Sequence, residues 1–279
     1  EFAKIWYACC IYMPQISVRG AKMLYLPQIT LCINDTRNHE LARLALEDSI
    51  QDIEFGEIVV ISDQPFQLSK PYRFEKMPDL ASYEEWGLWT VKDLPKLIHT
   101  DFVLQIQFDS WITSPHCWRE EFLSYDYIGP PWGWFKDNWN VGCGGFTLYS
   151  LELMKFIADN LEKHPVHPPY DVAICRTNRQ AYENAGFKWA SPETSLDFGF
   201  ERTGFRGLDY HFGFHGMFNW TKVLDRPRLV ERINACKSYQ AEKKDALPEL
   251  LDILGDYHCS EIGAELANLR STQMLRSAS

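Results

Sequence analysis

The first clear pattern along the chain is the apolar, β-branched run Gln28-Ile-Thr-Leu-Cys-Ile33, which predicts a buried strand. Asn34-Asp-Thr-Arg-Asn38 breaks it with residues suited to turns and helix N-caps. Leu41, Leu44, Ala45 and Ser49 then recur at helical spacing, with Glu40 near the helix start where its charge suits the dipole. Glu57-Ile-Val-Val-Ile-Ser62 predicts a second buried strand, ended by Asp63. Strand, helix and strand in that order predict parallel pairing with a right-handed crossover.

Further along, Ser82 to Ile98 reads as a helix, Phe102 to Gln107 as a strand, and Asp126-Tyr-Ile128 as a short strand before Gly129-Pro-Pro131. Gly145-Phe-Thr-Leu148 leads into a helix over Leu151 to Leu161, and an αβ pair spans Val172 to Ala190. This alternation predicts an α/β domain over residues 28–235, a mostly parallel sheet flanked by helices. Residues 1–27 are mixed in pattern and read as an N-terminal extension. Residues 236–279 carry helical spacing at Leu247, Leu250, Leu251 and Leu254, then at Ile262, Leu266 and Leu269, and read as a C-terminal helical extension.

Composition narrows the chemistry. A formal net charge of -10 argues against nucleic acid as a partner, because phosphate contacts need a basic face. An acidic chain can still hold a nucleotide diphosphate when a divalent cation sits between the negative groups. The eight cysteines form no CxxC pair and no Cys/His zinc spacing, so they read as reduced thiols in a cytoplasmic protein. No stretch is long enough for a membrane span, and no signal-peptide pattern is present. Many of the ten tryptophans fall between Trp111 and Trp139. Such rings stack on sugars, but core packing is the default for most of them.

In open α/β sheets ligands bind beyond the carboxyl ends of the strands. The polar residues there are Asp35-Thr36-Arg37, Ser62-Asp63, Gln107-Phe108-Asp109-Ser110 and the turn Gly142-Cys-Gly-Gly145. Asp109 is the sharpest of them, since a carboxylate ending an apolar strand should hold a hydrogen-bond donor or a cation. Position alone leaves open whether it binds an ion or caps the turn before Pro115. The glycine turn lets backbone approach a ligand, but it matches no dinucleotide fingerprint and lacks a Walker lysine. Asp171, at the start of a helix, suits the helix dipole and could equally take a proton from an acceptor hydroxyl, with Glu201 as its rival. Tyr210-His-Phe-Gly-Phe-His-Gly216 is too glycine-rich for a metal-binding helix and reads as a loop. A histidine in such a loop is more often structural than a ligand, and His215 becomes a candidate second ligand only beside Asp109.

Taken in order, Asp35-Thr36-Arg37, Gln107-Phe-Asp-Ser110, Tyr125-Asp-Tyr-Ile-Gly-Pro-Pro-Trp132, Val141-Gly-Cys-Gly-Gly-Phe-Thr-Leu148, Tyr170-Asp-Val172 and Phe212-Gly-Phe-His-Gly216 resemble a bacterial and fungal family of glycosyltransferases distantly akin to fringe-type enzymes. The resemblance spans Gln28 to Trp220 and implies a GT-A-like fold, a nucleotide-sugar donor (a UDP-sugar), a glycan or glycolipid acceptor and Mn2+ or Mg2+. It implies metal ligation by Asp109, with Gln107 replacing the first acid of an Asp-x-Asp motif, and by His215. It implies Asp171 as catalytic base of an inverting displacement, with Tyr170 replacing a preceding acid. Thr36, Arg37 and Asp63 would frame the nucleotide, and Gln107, Gly144 and Gly145 would line the donor pocket. Cys143 stands where the resemblance puts Asn. Trp132, Trp134 and Trp139 are candidates for an acceptor groove.

Other readings remain beside this one. Gln107 and Tyr170 would suit a non-catalytic glycan- or nucleotide-binding module of a larger polysaccharide-biosynthesis protein. A sugar nucleotidyltransferase shares the strand–helix–strand logic, but Asn34-Asp-Thr-Arg-Asn38 lacks the glycines expected of its opening loop.

Overall fold

The computed structural model describes residues 23–236. Residues 1–22 of the expected N-terminal extension and the predicted helices after Lys237 lie outside these residues.

Nine strands and eight α-helices are described. The opening unit is β1 (Leu24–Asn34), α1 (His39–Ile50) and β2 (Ile53–Ser62), as the apolar pattern requires, although both strands begin earlier than the pattern suggests. β3 (Arg73–Lys76) follows, then α2 (Tyr83–Lys92), β4 (Phe102–Ile106) and β5 (Ser110–Ile112). β6 (Tyr127–Ile128), β7 (Phe146–Ser150) and α3 (Leu151–Asp159) come next. The chain continues through α4 (Tyr170–Val172), α5 (Arg179–Asn184), α6 (Pro192–Phe198), β8 (Gly199–Phe200) and β9 (Gly213–His215). It closes with α7 (Trp220–Val223) and α8 (Arg226–Ala235).

The main sheet has six strands in the order β3-β2-β1-β4-β7-β6. β3, β2, β1 and β4 are mutually parallel, so their carboxyl ends share one edge, while β7 runs antiparallel between β4 and β6. Alternate side chains feed two cores, as the two-residue period of a strand dictates. Ile33, Val60, Ile106 and Leu148 face one side, where Leu41, Ala45 and Leu46 of α1 cover them. Cys32, Val59, Val103 and Tyr149 face the other, beneath Val91 of α2 and Leu153 and Ile157 of α3. No helix among the described residues is long and apolar enough to cross a membrane.

Some expectations change here. The segment Tyr210 to Gly216 is not all loop: β9 pairs with β5 antiparallel and with β8 in parallel, forming a second, three-stranded sheet. Its glycine serves that packing, because a Cβ on Gly213 would lie 2.2 Å from the Phe146 ring. The predicted αβ pair over Val172 to Ala190 contributes helix and a π-helical turn, but its strand shrinks to one bridge between Tyr127 and Trp189. The helix read from Ser82 to Ile98 stops at Lys92 and resumes as a short 3-10 turn around Pro95, whose missing N–H cannot continue an α-helix. Trp111 and Trp132 are core residues, whereas Trp134 is exposed.

Candidate active site

Register brings the strand-end residues together. Asn34 lies opposite Ile61 across β1 and β2, and Ile33 opposite Ile106 across β1 and β4. Asp63, the Asp35–Arg37 turn and the Gln107–Asp109 turn are therefore neighbours on one edge, within on the order of 10 Å across two strand spacings. Asp35 shapes the first turn by accepting from the backbone N–H of Arg37 and of Asn38, each at 2.7 Å. Asp63 pairs with His39 at 2.6 Å. Thr36 and Arg37 sit at the head of α1, at the partly open rim.

The turn after β4 is closed by Ser110, not by Asp109. Gln107 N–H donates to Ser110 Oγ at 2.8 Å, and Ser110 Oγ in turn donates to Gly145 carbonyl at 2.5 Å. Asp109 itself is buried, and its Oδ1 makes no hydrogen bond.

His215 explains where that oxygen points. Ser110 and His215 are paired across β5 and β9, and Gly216 N–H donates to Asp109 carbonyl at 3.0 Å. The pairing sets His215 Nε2 at 3.7 Å from Asp109 Oδ1. Its other nitrogen, Nδ1, lies 3.0 Å from Glu201 Oε1 and 3.2 Å from Cys143 Sγ. Glu201 is also buried, and its Oε2 makes no hydrogen bond. Cys143, Glu201 and His215 are the described residues whose donor atoms cluster closely enough to hold a metal ion together.

The glycine turn holds the pieces in place. A Cβ on Gly145 would fall 2.1 Å from the His215 ring, and one on Gly142 2.0 Å from Trp132. Gly144 donates its N–H to Asp171 Oδ2 at 3.4 Å, and a Cβ there would sit 3.2 Å from Asp171 Cβ. Consecutive glycines therefore carry the candidate base on one and the imidazole on the next. The residue before Asp171, Tyr170, is anchored to α2: its ring fills the space over Gly87 and its hydroxyl donates to Glu84 carbonyl at 2.6 Å.

The electrostatics follow from burial. Burial pushes the Asp171 carboxyl above its ordinary range, against the stabilising N–H groups of Val172 and Gly144, and the Glu201 charge adds to the rise. Burial also pushes the Cys143 thiol up to about 11, with His215 opposing, so Cys143 stays a thiol near neutral pH. For His215 burial alone would lower the value, yet Cys143, Asp109 and Glu201 outweigh it and hold the imidazolium well above its usual range.

Sequence reasoning singled out Asp109, His215 and Asp171, and the fold brings all three around the glycine turn. It weighed Glu201 as a base, whereas Glu201 faces His215. It gave no role to Asn219, a fully buried residue whose Nδ2 donates to the carbonyls of Glu201 at 2.7 Å and His215 at 2.9 Å.

The sequence profile of a family described as "Protein of unknown function (DUF5672)" matches residues 88–215. That span contains Asp109, Cys143, Asp171, Glu201 and His215, and leaves out Thr36, Arg37 and Asp63. No curated protein sequence matches the chain. Among solved structures, one described as a glycosyltransferase involved in the glycosylation of the major capsid of PBCV-1 is similar at 12% identity and a TM-score of 0.42, covering 73% of this chain and 97% of that one.

Proposed function

We propose that the chain is a nucleotide-sugar-dependent glycosyltransferase of GT-A-like architecture, acting by single displacement with inversion. The observation that carries this reading is the meeting of Asp109, His215 and Asp171 around Gly144–Gly145, beside the carboxyl ends of parallel strands. It is the place where open α/β sheets take nucleotides.

Asp171 is the general base. Its raised carboxyl suits proton abstraction, since a base works best when its own affinity for the proton is not too low. The acceptor hydroxyl gives its proton to an Asp171 oxygen while the acceptor oxygen forms a bond to the anomeric carbon. The bond from that carbon to the diphosphate breaks, and the electron pair leaves on the diphosphate oxygen. The Asp35–Arg37 turn and Asp63 would border the nucleotide of a UDP-sugar, with Gln107, Gly144 and Gly145 along the sugar and acceptor side.

Asp109 and His215 fit a divalent cation. A buried carboxylate oxygen without a hydrogen bond stands 3.7 Å from an imidazole nitrogen, too far for a direct hydrogen bond and near the span of two ligands on one ion. An oxygen and a nitrogen donor suit Mn2+ better than Mg2+, which prefers oxygen alone. Such an ion, when bound, would neutralise charge on the departing diphosphate.

The test is a screen of nucleotide sugars with and without Mn2+, by thermal shift and then by donor turnover. A bound ligand stabilises the native state by about 2.7 kcal/mol at a hundred times its Kd. The reading expects a metal-dependent shift with at least one donor, and turnover that falls by about 10²–10⁴-fold in Asp171→Asn. Undiminished turnover in that variant would remove Asp171 from the mechanism.

A further inference from the structure

We infer that Glu201 is a positioning residue that holds His215 in the orientation and tautomer presenting Nε2 to the cation shared with Asp109. This rests on the cation reading given above.

The two sides of the imidazole differ in a way that assigns their roles. On the Nδ1 side, Glu201 Oε1 stands at 3.0 Å, an ordinary length for an N–H donor to a carboxylate. On the Nε2 side, Asp109 Oδ1 stands at 3.7 Å and makes no hydrogen bond. A single ion cannot bind both ring nitrogens, so one side ligates and the other orients. Glu201 takes the proton-bearing nitrogen, leaving Nε2 to ligate. Histidines bound to metals commonly give their second N–H to a carboxylate in this manner, which fixes the ring and raises its basicity.

The backbone around Glu201 is built for that task. Phe200 and Phe214 are paired across β8 and β9, which sets Glu201 and His215 side by side one residue later. Asn219, wholly buried, ties the carbonyls of both residues with its amide at 2.7 and 2.9 Å. Its own Oδ1 accepts from Lys222 Nζ at 2.7 Å. Gly145 closes the opposite side, since any larger residue would meet the ring. The imidazole is thus confined by a carboxylate on one edge and by backbone on its face.

Cys143 offers a competing arrangement. With Glu201 and Nδ1 it could hold a thiophilic ion on the opposite edge, and Asp109 would then serve as the orienting carboxylate.

Cadmium distinguishes the two. NMR of the 15N-histidine-labelled protein loaded with 113Cd2+ alone is expected to give cadmium coupling at Nε2 of His215, with a proton retained on Nδ1. Coupling at Nδ1, with a sulfur-ligated cadmium shift lost in Cys143→Ser, would overturn the assignment and leave a cation site standing. Coupling at neither nitrogen would remove His215 as a ligand and the cation reading with it. A mutant pair adds a second readout by calorimetry with Mn2+. Glu201→Leu should lose about 10- to 100-fold in affinity. Glu201→Gln, whose Oε1 still accepts from Nδ1–H, should recover most of that loss. Equal losses in both variants would argue against positioning through the hydrogen bond.

Discussion

The ring of His215 occupies the space that a Cβ of residue 145 would need, with Cδ2 and Nε2 each 2.1 Å from that point. The glycine is there to admit the imidazole. Gly145→Ala should therefore displace His215, at a cost of about 1–3 kcal/mol for overpacking. Mn2+ affinity should fall about 10-fold or more, as when a ligand loses its supporting shell. Gly144→Ala meets only Asp171 Cβ at 3.2 Å, so it should be milder for the cation and act on the rate of transfer instead. Calorimetry with Mn2+ and donor turnover on both variants separate the two effects.

Asp109 can be tested against folding. Because its Oδ1 makes no hydrogen bond, the NH2 of Asp109→Asn can take that position without breaking one. The melting temperature in EDTA should stay close to that of the parent protein. Donor turnover with Mn2+ should fall by about a hundredfold or more, the scale seen when one preorganised electrostatic group is lost. A large drop in melting temperature with unchanged turnover would instead make Asp109 structural.

Much of this frame is legible in the sequence. Apolar runs ending at Ile33, Ser62 and Gln107 mark strands of a mostly parallel sheet, and a lone carboxylate after such a run marks Asp109. β3 escaped because Arg73 and Glu75 give it a charged pattern, which an edge strand tolerates and a buried one does not. The second sheet escaped for a different reason. Ser110 and His215 meet only through tertiary pairing, and glycine at position 213 reads locally as loop. The same distance hid the pairing of Glu201 with His215 and the part played by Asn219, which exist only once β8 and β9 are in register. The glycines of the 142–145 turn stand out as small residues, but the side chains that fill their spaces come from segments far along the chain.

The attachment of α8 makes a prediction about stability. Arg232 is buried against Trp111, with its Cζ 4.6 Å from the ring centroid, and it pairs with Asp48 of α1. Arg228 pairs with the other oxygen of the same carboxylate. Burial lowers the affinity of Arg232 for its proton, and Asp48 offsets that. Asp48→Ala would leave this guanidinium in the core without its counter-charge, at a cost of about 3–5 kcal/mol. Adding Arg232→Met should recover a large part, since an apolar side chain of similar length needs no partner. Urea denaturation of the single and double variants measures both steps.

Asp171 links pH to rate. Its carboxyl is raised by burial, so the proton leaves at a higher pH than from an exposed aspartate. As a general base it works only when deprotonated. Transfer should therefore fall as pH drops through that raised value, with the acid limb lying above the usual carboxylate range. In Asp171→Asn the rate should drop by about 10²–10⁴-fold and the limb should vanish, because the amide has no proton affinity to titrate. Stability should move the opposite way. A folded-state value above the unfolded one means the charged carboxylate is disfavoured in the fold, an effect present at pH above both values and absent below them. Neutral Asn keeps an oxygen for the Val172 N–H, which bonds Oδ1 at 2.8 Å, and gives up only the long 3.4 Å bond from Gly144 to Oδ2, so it should melt no lower than the parent near neutral pH. A rate–pH profile and a melting curve on this one variant test both halves. An unchanged acid limb would assign the base to another group, and a clear loss of stability would mean the charge is compensated in the fold.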